Sequence, residues 1–469
     1  MSPTTNINLQ TRWVLRQTQP DAVAALAREL ELSEITTTLL VNRGITDGEA
    51  AHSFLYPRLS DLHDPFLMQD MRKTVDRIMR AIAQKEKVLV YGDYDVDGST
   101  STVILKKALS MIGADVAYYI PQRLRDGYGL RVDAMDEARA KGFSLVISVD
   151  TGIRAWEVAE HARRLGLDLI VTDHHVPGDA LPAAFAVLNP KRSDCLYPNK
   201  NLAGVGVAFK LAQALLIETG RERYVESFTK IAAIGTIADI VPLVGENRVI
   251  AKYGLQGLAR PRNPGLRALL NVAGLEDKEV SGSDVAFRVA PRINAVGRMG
   301  GASNAVELFE APDIDAAMKL ALDMDEHNAA RQRTEAEVVA QVVAELERDV
   351  EFKDSRIAVI AGEGWHRGVI GIAASKIVER INRPAIIISI EDGIGHGSGR
   401  SIQAFHLLDG LTSCTDLFER FGGHSHAAGL VVRAENVDEL RRRLNQYALQ
   451  VLTDDDLTPE PLKQIGATC

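Results

Sequence analysis

Cysteine is scarce in this sequence. Cys195, Cys414 and Cys469 lie far apart and show no paired metal-ligand spacing, which argues against a disulfide framework or a zinc site. No stretch supplies about 18 uninterrupted apolar residues, so no membrane span is expected. The opening MSPTTNINLQTRWVLRQ has no apolar segment behind a basic start. It does not read as a secretory leader, and the expected location is cytoplasmic. Positive charge has no excess either: 54 Lys and Arg against 63 Asp and Glu leave a formal charge of -9. That argues against a protein that coats nucleic acid indiscriminately, while leaving room for a narrow basic cleft. Aromatic residues are only 5% of the chain. Tyr128, Trp365 and Phe405 therefore read as core residues before they read as base-stacking platforms. Internal repeats and low-complexity tracts are absent. What is present is the balance of a globular protein, 46% hydrophobic and 25% charged, on a chain of 469 residues that should form two or three domains.

The order of patterns predicts an α/β architecture. Residues 1–80 read as a helical cap, with helical spacing from Asp21 to Leu30 and punctuation at Pro57 and Pro65. From Lys87, short apolar runs alternate with helical stretches, which signals βα units and a parallel sheet. The runs are VLVY (88–91), VAYYI (116–120), LVISV (145–149) and LIVT (169–172). The intervening stretches 99–112, 132–141 and 155–165 have helical spacing, and so do 206–218 and 225–238. This places a first α/β domain at 81–260 and a linking segment at 261–350, with a long charged connector helix over 313–350. A smaller α/β domain follows at 351–452, with strands over 357–361 and 385–390 and a helix over 371–380. Residues 453–469 read as a polar tail.

Acidic motifs follow these strands. GDYDVDGST (92–100) comes directly after VLVY. Its D-x-D-x-D-G start resembles a calcium loop, but the twelfth position from Asp93 is Ile104 rather than glutamate, and a strand precedes it where a helix is needed. Three carboxylates, Asp93, Asp95 and Asp97, thus crowd the carboxyl end of a strand, where open α/β sheets bind ligands. Such crowding is costly unless cations neutralise it; the alternative is a solvated acidic turn. SVDTG puts Asp150 after the third run, and VTDHH puts Asp173, His174 and His175 after the fourth. Either motif alone could be a surface turn, but together they deliver acids and imidazoles to one sheet edge. Oxygen plus imidazole donors suit manganese or a similar divalent ion better than calcium. Asp239, inside the apolar IGTIADIVPL, is either a further ligand or a helix-end residue with local hydrogen bonds. GHGSGRS (395–401) reads as a glycine-rich turn whose backbone N–H groups could approach an anion while Arg400 forks onto phosphate; a structural hairpin is the alternative.

Together, GDYDVDG, SVDTG, TDHH and GTIADIVPL resemble the DHH phosphoesterase superfamily. PQRLRDGYGL, NLAGVGVAFKL, PRINAVGRM, WHRGVIGI, GSGRS and FGGHSHAAG narrow the resemblance to RecJ-like exonucleases across residues 80–450. The resemblance implies a DHH catalytic domain joined by the long helix to a DHHA1 substrate-binding domain, with a cleft between them. It implies two divalent ions, Mn2+ or Mg2+: one held by Asp93, Asp95 and Asp150, the other by Asp97, Asp150, His174 and Asp239. Asp150 and His175 would be the catalytic pair. His175 would face the scissile phosphate, either donating a hydrogen bond or assisting the leaving group. Arg123, Arg298, Ser398 and Arg400 would contact the substrate backbone. His424 is either near the cleft or a packed structural residue. The implied activity is removal of 5′-mononucleotides from the 5′ end of single-stranded DNA in repair and recombination, by a monomer that cooperates with a helicase and a single-strand-binding protein. Long members of the family carry an OB-fold beyond DHHA1, and this chain ends before one would fit, through truncation or as a short form. The rival readings are a nanoRNase or cyclic-dinucleotide phosphodiesterase, and a non-catalytic DNA-binding scaffold, which would lack metal ligands.

Overall fold

The computed structural model describes residues 19–122, 127, 129–299, 304–348 and 351–458. Contacts divide the chain into two units, residues 45–328 and the remainder, with one boundary between Gly44 and Ile45 and the other inside one long helix. Among the described residues no helix is long and apolar enough to cross a membrane.

The chain begins with helices α1 (Pro20–Leu30), α2 (Glu34–Val41), α3 (Gly48–Leu55) and α4 (Met71–Ala83). The larger unit is built on strands β1 (Lys87–Tyr91), β2 (Asp115–Tyr119), β3 (Phe143–Val149), β4 (Asp168–Thr172) and β5 (Ala186–Leu188). They form one five-stranded parallel sheet in the order β2-β1-β3-β4-β5. The strands read as unbroken apolar runs because both faces are covered. Val88, Val90, Leu145 and Ile147 pack on one side with Met71, Val75 and Ile78 of α4. Leu89, Tyr91, Val146 and Val171 pack on the other. That second layer comes from α6 (Val132–Ala140) and α7 (Trp156–Arg164), while α5 (Val96–Met111) carries the β1-to-β2 crossover. The sheet therefore reverses direction between β1 and β3, and such a switch point opens a crevice at the strands' carboxyl ends.

Beyond the sheet come α8 (Gly204–Glu218), α9 (Val225–Ala238) and α10 (Gly245–Leu258). Residues 264–310, for which the sequence pattern predicts no elements, form α11 (Pro264–Val272), α12 (Ala290–Met299) and α13 (Asn304–Glu310). Their apolar side chains, including Leu266, Ile293, Val296 and Phe309, join Val103, Ile104, Phe209 and Ile234 in one cluster. The long helix is α14 (Ile314–Arg348).

The smaller unit has a mixed sheet in the order β6-β7-β8-β10-β9: β6 (Ala358–Glu363), β7 (Ala385–Glu391), β8 (Ile394–Arg400), β9 (Phe418–Gly423) and β10 (Ala427–Arg433). Helices α15 (Ile370–Ile381), α16 (Leu407–Thr412) and α17 (Val437–Val451) alternate with these strands or follow them. The expected turn at GHGSGRS is instead the central strand β8, paired on both sides. Its ladder occupies the backbone groups that the turn reading would have aimed at an anion. The period of two is carried by glycines. A Cβ at Gly395, Gly397 or Gly399 would press on Ile388, Leu430 or Leu407, so this face of β8 is closed by its neighbours' side chains.

The crossing of α9 and α10 depends on Gly254, where a Cβ would lie 2.4 Å from the Thr229 carbonyl oxygen. Leucine here gains about 1 kcal/mol of helix propensity over glycine, but it must force the helices apart. Gly254→Leu is expected to lower unfolding free energy by a net ~1–3 kcal/mol in urea denaturation. An unchanged midpoint would contradict this packing.

Candidate metal centre

The turn after β1 is shaped to gather its acids. Asp95 caps α5, its Oδ1 accepting from the Gly98 N–H at 2.9 Å, and Asp93 Oδ1 accepts from the Tyr94 N–H at 2.8 Å. A Cβ on Gly98 would sit 2.7 Å from the Asp93 backbone nitrogen, so only glycine lets the loop fold back this tightly. Asp97, in the first turn of α5, is buried. The first two N–H groups of α8, those of Gly204 and Val205, donate to its two oxygens, each at 2.7 Å. A helix N-terminus thus holds this carboxylate in place.

Asp150 directly follows β3 and lies in the left-handed region, φ 60°. Its N–H donates to the Thr172 carbonyl across the neighbouring strand, and its side chain turns into the crevice against Gly204. Asp150 is buried, and its Oδ1 accepts no hydrogen bond. A buried, unbonded carboxylate oxygen is expensive in an aqueous protein unless something positive sits against it.

Asp173, His174 and His175 follow β4, and the three diverge. Asp173 is saturated by the chain itself: its oxygens accept from the N–H groups of His174, His175 and Ile153 and from His175 Nδ1 at 2.7 Å. Burial opposes its ionisation, yet the bond from His175 and those N–H groups hold its carboxyl below the usual range. His174 points the other way, its Nε2 lying 3.3 Å from Asp150 Oδ1, 3.8 Å from Asp97 Oδ2 and 3.7 Å from Asp239 Oδ2. Burial, then the adjacent His175, bring the His174 pKa down to about 4, which leaves a neutral imidazole able to bind a metal. His175 is partly exposed. Burial disfavours its charge, but the Asp173 hydrogen bond and charge override this and raise its pKa.

Asp239 stands at the C-terminus of α9, just before Ile240, which also has positive φ. Burial, then the charge of Asp95, push its carboxyl up to about 6. Burial also raises Asp97, followed by the charges of Asp239 and Asp95. The same cause raises Asp150 well above the ordinary range, followed by Asp97, Asp95 and Asp93. Among the described residues no lysine or arginine forms an ion pair with Asp97, Asp150 or Asp239.

The ligand atoms converge in overlapping groups: Asp93, Asp95 and Asp150; Asp97, His174 and Asp239; and Asp150, His174 and His175. Within each group they lie within 4.8 Å of one another. Hard carboxylates with one or two imidazoles and no thiolate fit divalent manganese or magnesium. The orphaned Asp150 oxygen, shared between groups, is the observation that tests this fit.

The remaining site residues of the sequence reading lie on other elements of the two units. Arg123 and Tyr128 lie outside the described residues. Arg298 is on α12, a helix seated on the acidic loop: Asn294 Oδ1 accepts from the Val96 N–H at 3.2 Å, and Gly297 lies against the Tyr94 carbonyl. In the smaller unit, Ser398 and Arg400 share the β8 face opposite the apolar packing, where both lie over Gly371 in the first turn of α15. Arg400 Nη1 donates to Ser398 Oγ at 3.2 Å. His424 is exposed in the β9–β10 turn, its N–H donating to the Ala427 carbonyl. Trp365 and Phe405 are buried core residues, as their scarcity suggested. The sequence reading missed three groups: the anchoring role of Asp173, the α8 N–H groups on Asp97, and Asn294. Only the small residues of LAGVG hinted at the second.

Comparison with known proteins places these residues in context. The model of the DHH family, N-terminal domain, matches residues 87–236, and that of the DHHA1 domain matches residues 354–450. The chain is 43% identical to the single-stranded-DNA-specific exonuclease RecJ of Bacillus subtilis (strain 168) over 98% of its own length, and spans 57% of that relative. It is 36% identical to the Escherichia coli (strain K12) RecJ, covering 93% of this chain and 78% of that one. The crystal structure of RecJ in complex with Mn2+ from Thermus thermophilus superposes with a TM-score of 0.82 at 30% identity, covering 97% of this chain and 64% of that one.

The raised carboxyls give a pH signature. An acid whose folded pKa exceeds its unfolded value stabilises the metal-free fold fully below the unfolded value, and this is lost as pH rises through the folded one, about 6 for Asp239. A bound cation removes that repulsion. In thermal melts of chelator-treated protein, added manganese is expected to raise the midpoint more at about pH 7.5 than at about pH 5. Equal increments at both pH values would contradict the carboxylate assignment.

Proposed function

The chain belongs to the RecJ family of DHH and DHHA1 proteins, and from that premise we propose that it is a two-metal phosphodiesterase that degrades single-stranded DNA from its 5′ end to 5′-mononucleotides. The observation that carries the reading is the buried, unbonded Asp150 oxygen set between two groups of acids and imidazoles.

In this proposal Asp93, Asp95 and Asp150 hold one Mn2+ or Mg2+, and Asp97, Asp150, His174 and Asp239 hold the other. Such an ion pair supplies a nucleophile from water at neutral pH and a Lewis acid for the phosphoryl oxygen. The chain's own residues supply the rest. Gly204 and Val205 fix Asp97 through their N–H groups. His174, neutral at physiological pH, offers Nε2 to the cluster. Asp173 accepts from Nδ1 of His175 and so fixes the orientation of that ring. Its raised pKa then favours a proton at Nε2, placed to bond a phosphate oxygen or meet the leaving oxygen.

Ser398 and Arg400, over the N-terminal turn of α15, are proposed to bind the DNA backbone, because the helix end and the guanidinium both favour an anion. Arg123, Arg298 and His424 are proposed as further backbone contacts. Phosphate contacts carry no base information, which accords with a nuclease indifferent to sequence. We assign the connector role to α14, with the DHH domain before it and the DHHA1 domain after it. The protein is further proposed to act as a cytoplasmic monomer in repair and recombination, with a helicase and a single-strand-binding protein.

With manganese and 5′-labelled single strands, duplexes and dinucleotides, the long single strand should be the preferred substrate; preference for dinucleotides would overturn the proposal. Asp150→Ala should reduce cleavage to below about one-hundredth while DNA binding persists, since loss of even an outer partner costs about 10–100-fold. Arg400→Ala should raise KM about tenfold with kcat little changed, the loss of one charged phosphate contact. A fall in kcat alone would move Arg400 from binding to chemistry.

A further inference from the structure

The helices that bring Asp97 and Asp239 to the metal centre line a second cavity nearer their opposite ends. Lys106 lies nine residues beyond Asp97 on α5, roughly 14 Å along the helix axis. Lys230 lies on α9, whose far end carries Asp239. The cavity has a volume of about 950 Å3 and is completed by the end of α10, the loop into α11, and α13.

Its floor is apolar, formed in part by the buried side chains of Val103, Phe228, Leu266 and Phe309. Its rim is cationic: Lys106, Lys107, Lys230, Arg260 and Arg262. The carboxylate in the lining, Glu310, is paired with Lys106. Among the described residues no carboxylate is paired with Lys107, Lys230, Arg260 or Arg262. In a chain of formal charge -9, so many unpaired cations around one concavity oppose the average. The backbone that carries the arginines is also constrained. Pro261 and Pro264 fix φ on either side of Arg262, Asn263 Oδ1 accepts from the Leu266 N–H at 2.9 Å, and Asn263 Nδ2 donates to the Phe309 carbonyl at 2.8 Å.

We propose that this cavity binds a nucleotide bearing two or more phosphates, with its base on the apolar floor and its phosphates among Lys107, Lys230, Arg260 and Arg262. The volume lies within the range of small-molecule sites, roughly 300–1,000 Å3, and suits one nucleotide better than a strand. A polyphosphate concentrates several charges in a small space, as the rim requires, whereas an acidic peptide spreads them along a groove. Guanidinium forks match phosphate oxygens.

The test is fluorescence titration of the full chain with a fluorescently labelled nucleoside diphosphate, in chelator so that the metal centre does not contribute. Saturable binding is expected, weakened at least tenfold by Arg260→Glu with Arg262→Glu and separately by Lys107→Glu. Both variants should cleave single-stranded DNA at the parental rate in manganese. Absence of binding would overturn the proposal, as would binding unaffected by these substitutions. Equal affinity for inorganic pyrophosphate would reduce the site to an anion trap, and tighter binding of a labelled acidic peptide would make it a protein-docking pocket; either result refutes the nucleotide assignment.

Discussion

Mutual repulsion among buried carboxylates is the constraint around which the larger unit is organised. Asp97 and Asp150 are buried, with Asp93, Asp95 and Asp239 close by, and burial raises the first two well above the ordinary range. A sheet that reverses its winding between β1 and β3 supplies the one place where loops from adjacent strands can bring such groups together. The fold stabilises them only in part. Two N–H groups of α8 serve Asp97, and the chain saturates Asp173, but Asp150 keeps an oxygen with no hydrogen-bond partner. That deficit is what the proposed cations would offset.

Close backbone approach makes the geometry possible. Gly98 lies against Asp93, Gly204 against Asp150 and Gly297 against the Tyr94 carbonyl, and a methyl group at any of them would meet atoms within 3 Å. Three separate segments are thereby pressed onto one acidic cluster. The second histidine of the pair shows the division of labour. Asp173 is not itself a member of the candidate ligand groups, yet it fixes the orientation and basicity of His175, much as an outer carboxylate orients a metal-bound imidazole.

Much of this was legible in the sequence. The parallel strands read out as apolar runs because helices cover both sheet faces, and the acids other than Asp239 were visible because they follow such runs; Asp239 stood out as a lone acid in an apolar stretch. What escaped had physical reasons. DHH as a tripeptide does not say which residue turns inward, so the anchoring of His175 by Asp173 could not be assigned. Asn294 meets Val96 from 198 residues away, a pairing that no local pattern encodes. The β8 strand was read as a turn because its inward positions are glycine, and a period of two without side chains on one face looks like loop composition. Helices α11 to α13 pack into the α5 cluster, although loop residues punctuate the segment.

The left-handed backbone at Asp150 has a consequence for how this position can vary through evolution. Two independent requirements meet there: a main chain that few residue types adopt without strain, and an acidic side chain facing the crevice. Glycine and asparagine satisfy the first and forfeit the second; glutamate keeps the acid but is a poorer fit to that conformation and places its carboxyl one methylene further out. Few replacements meet both requirements, so the backbone at this position restricts the residue independently of its side-chain chemistry.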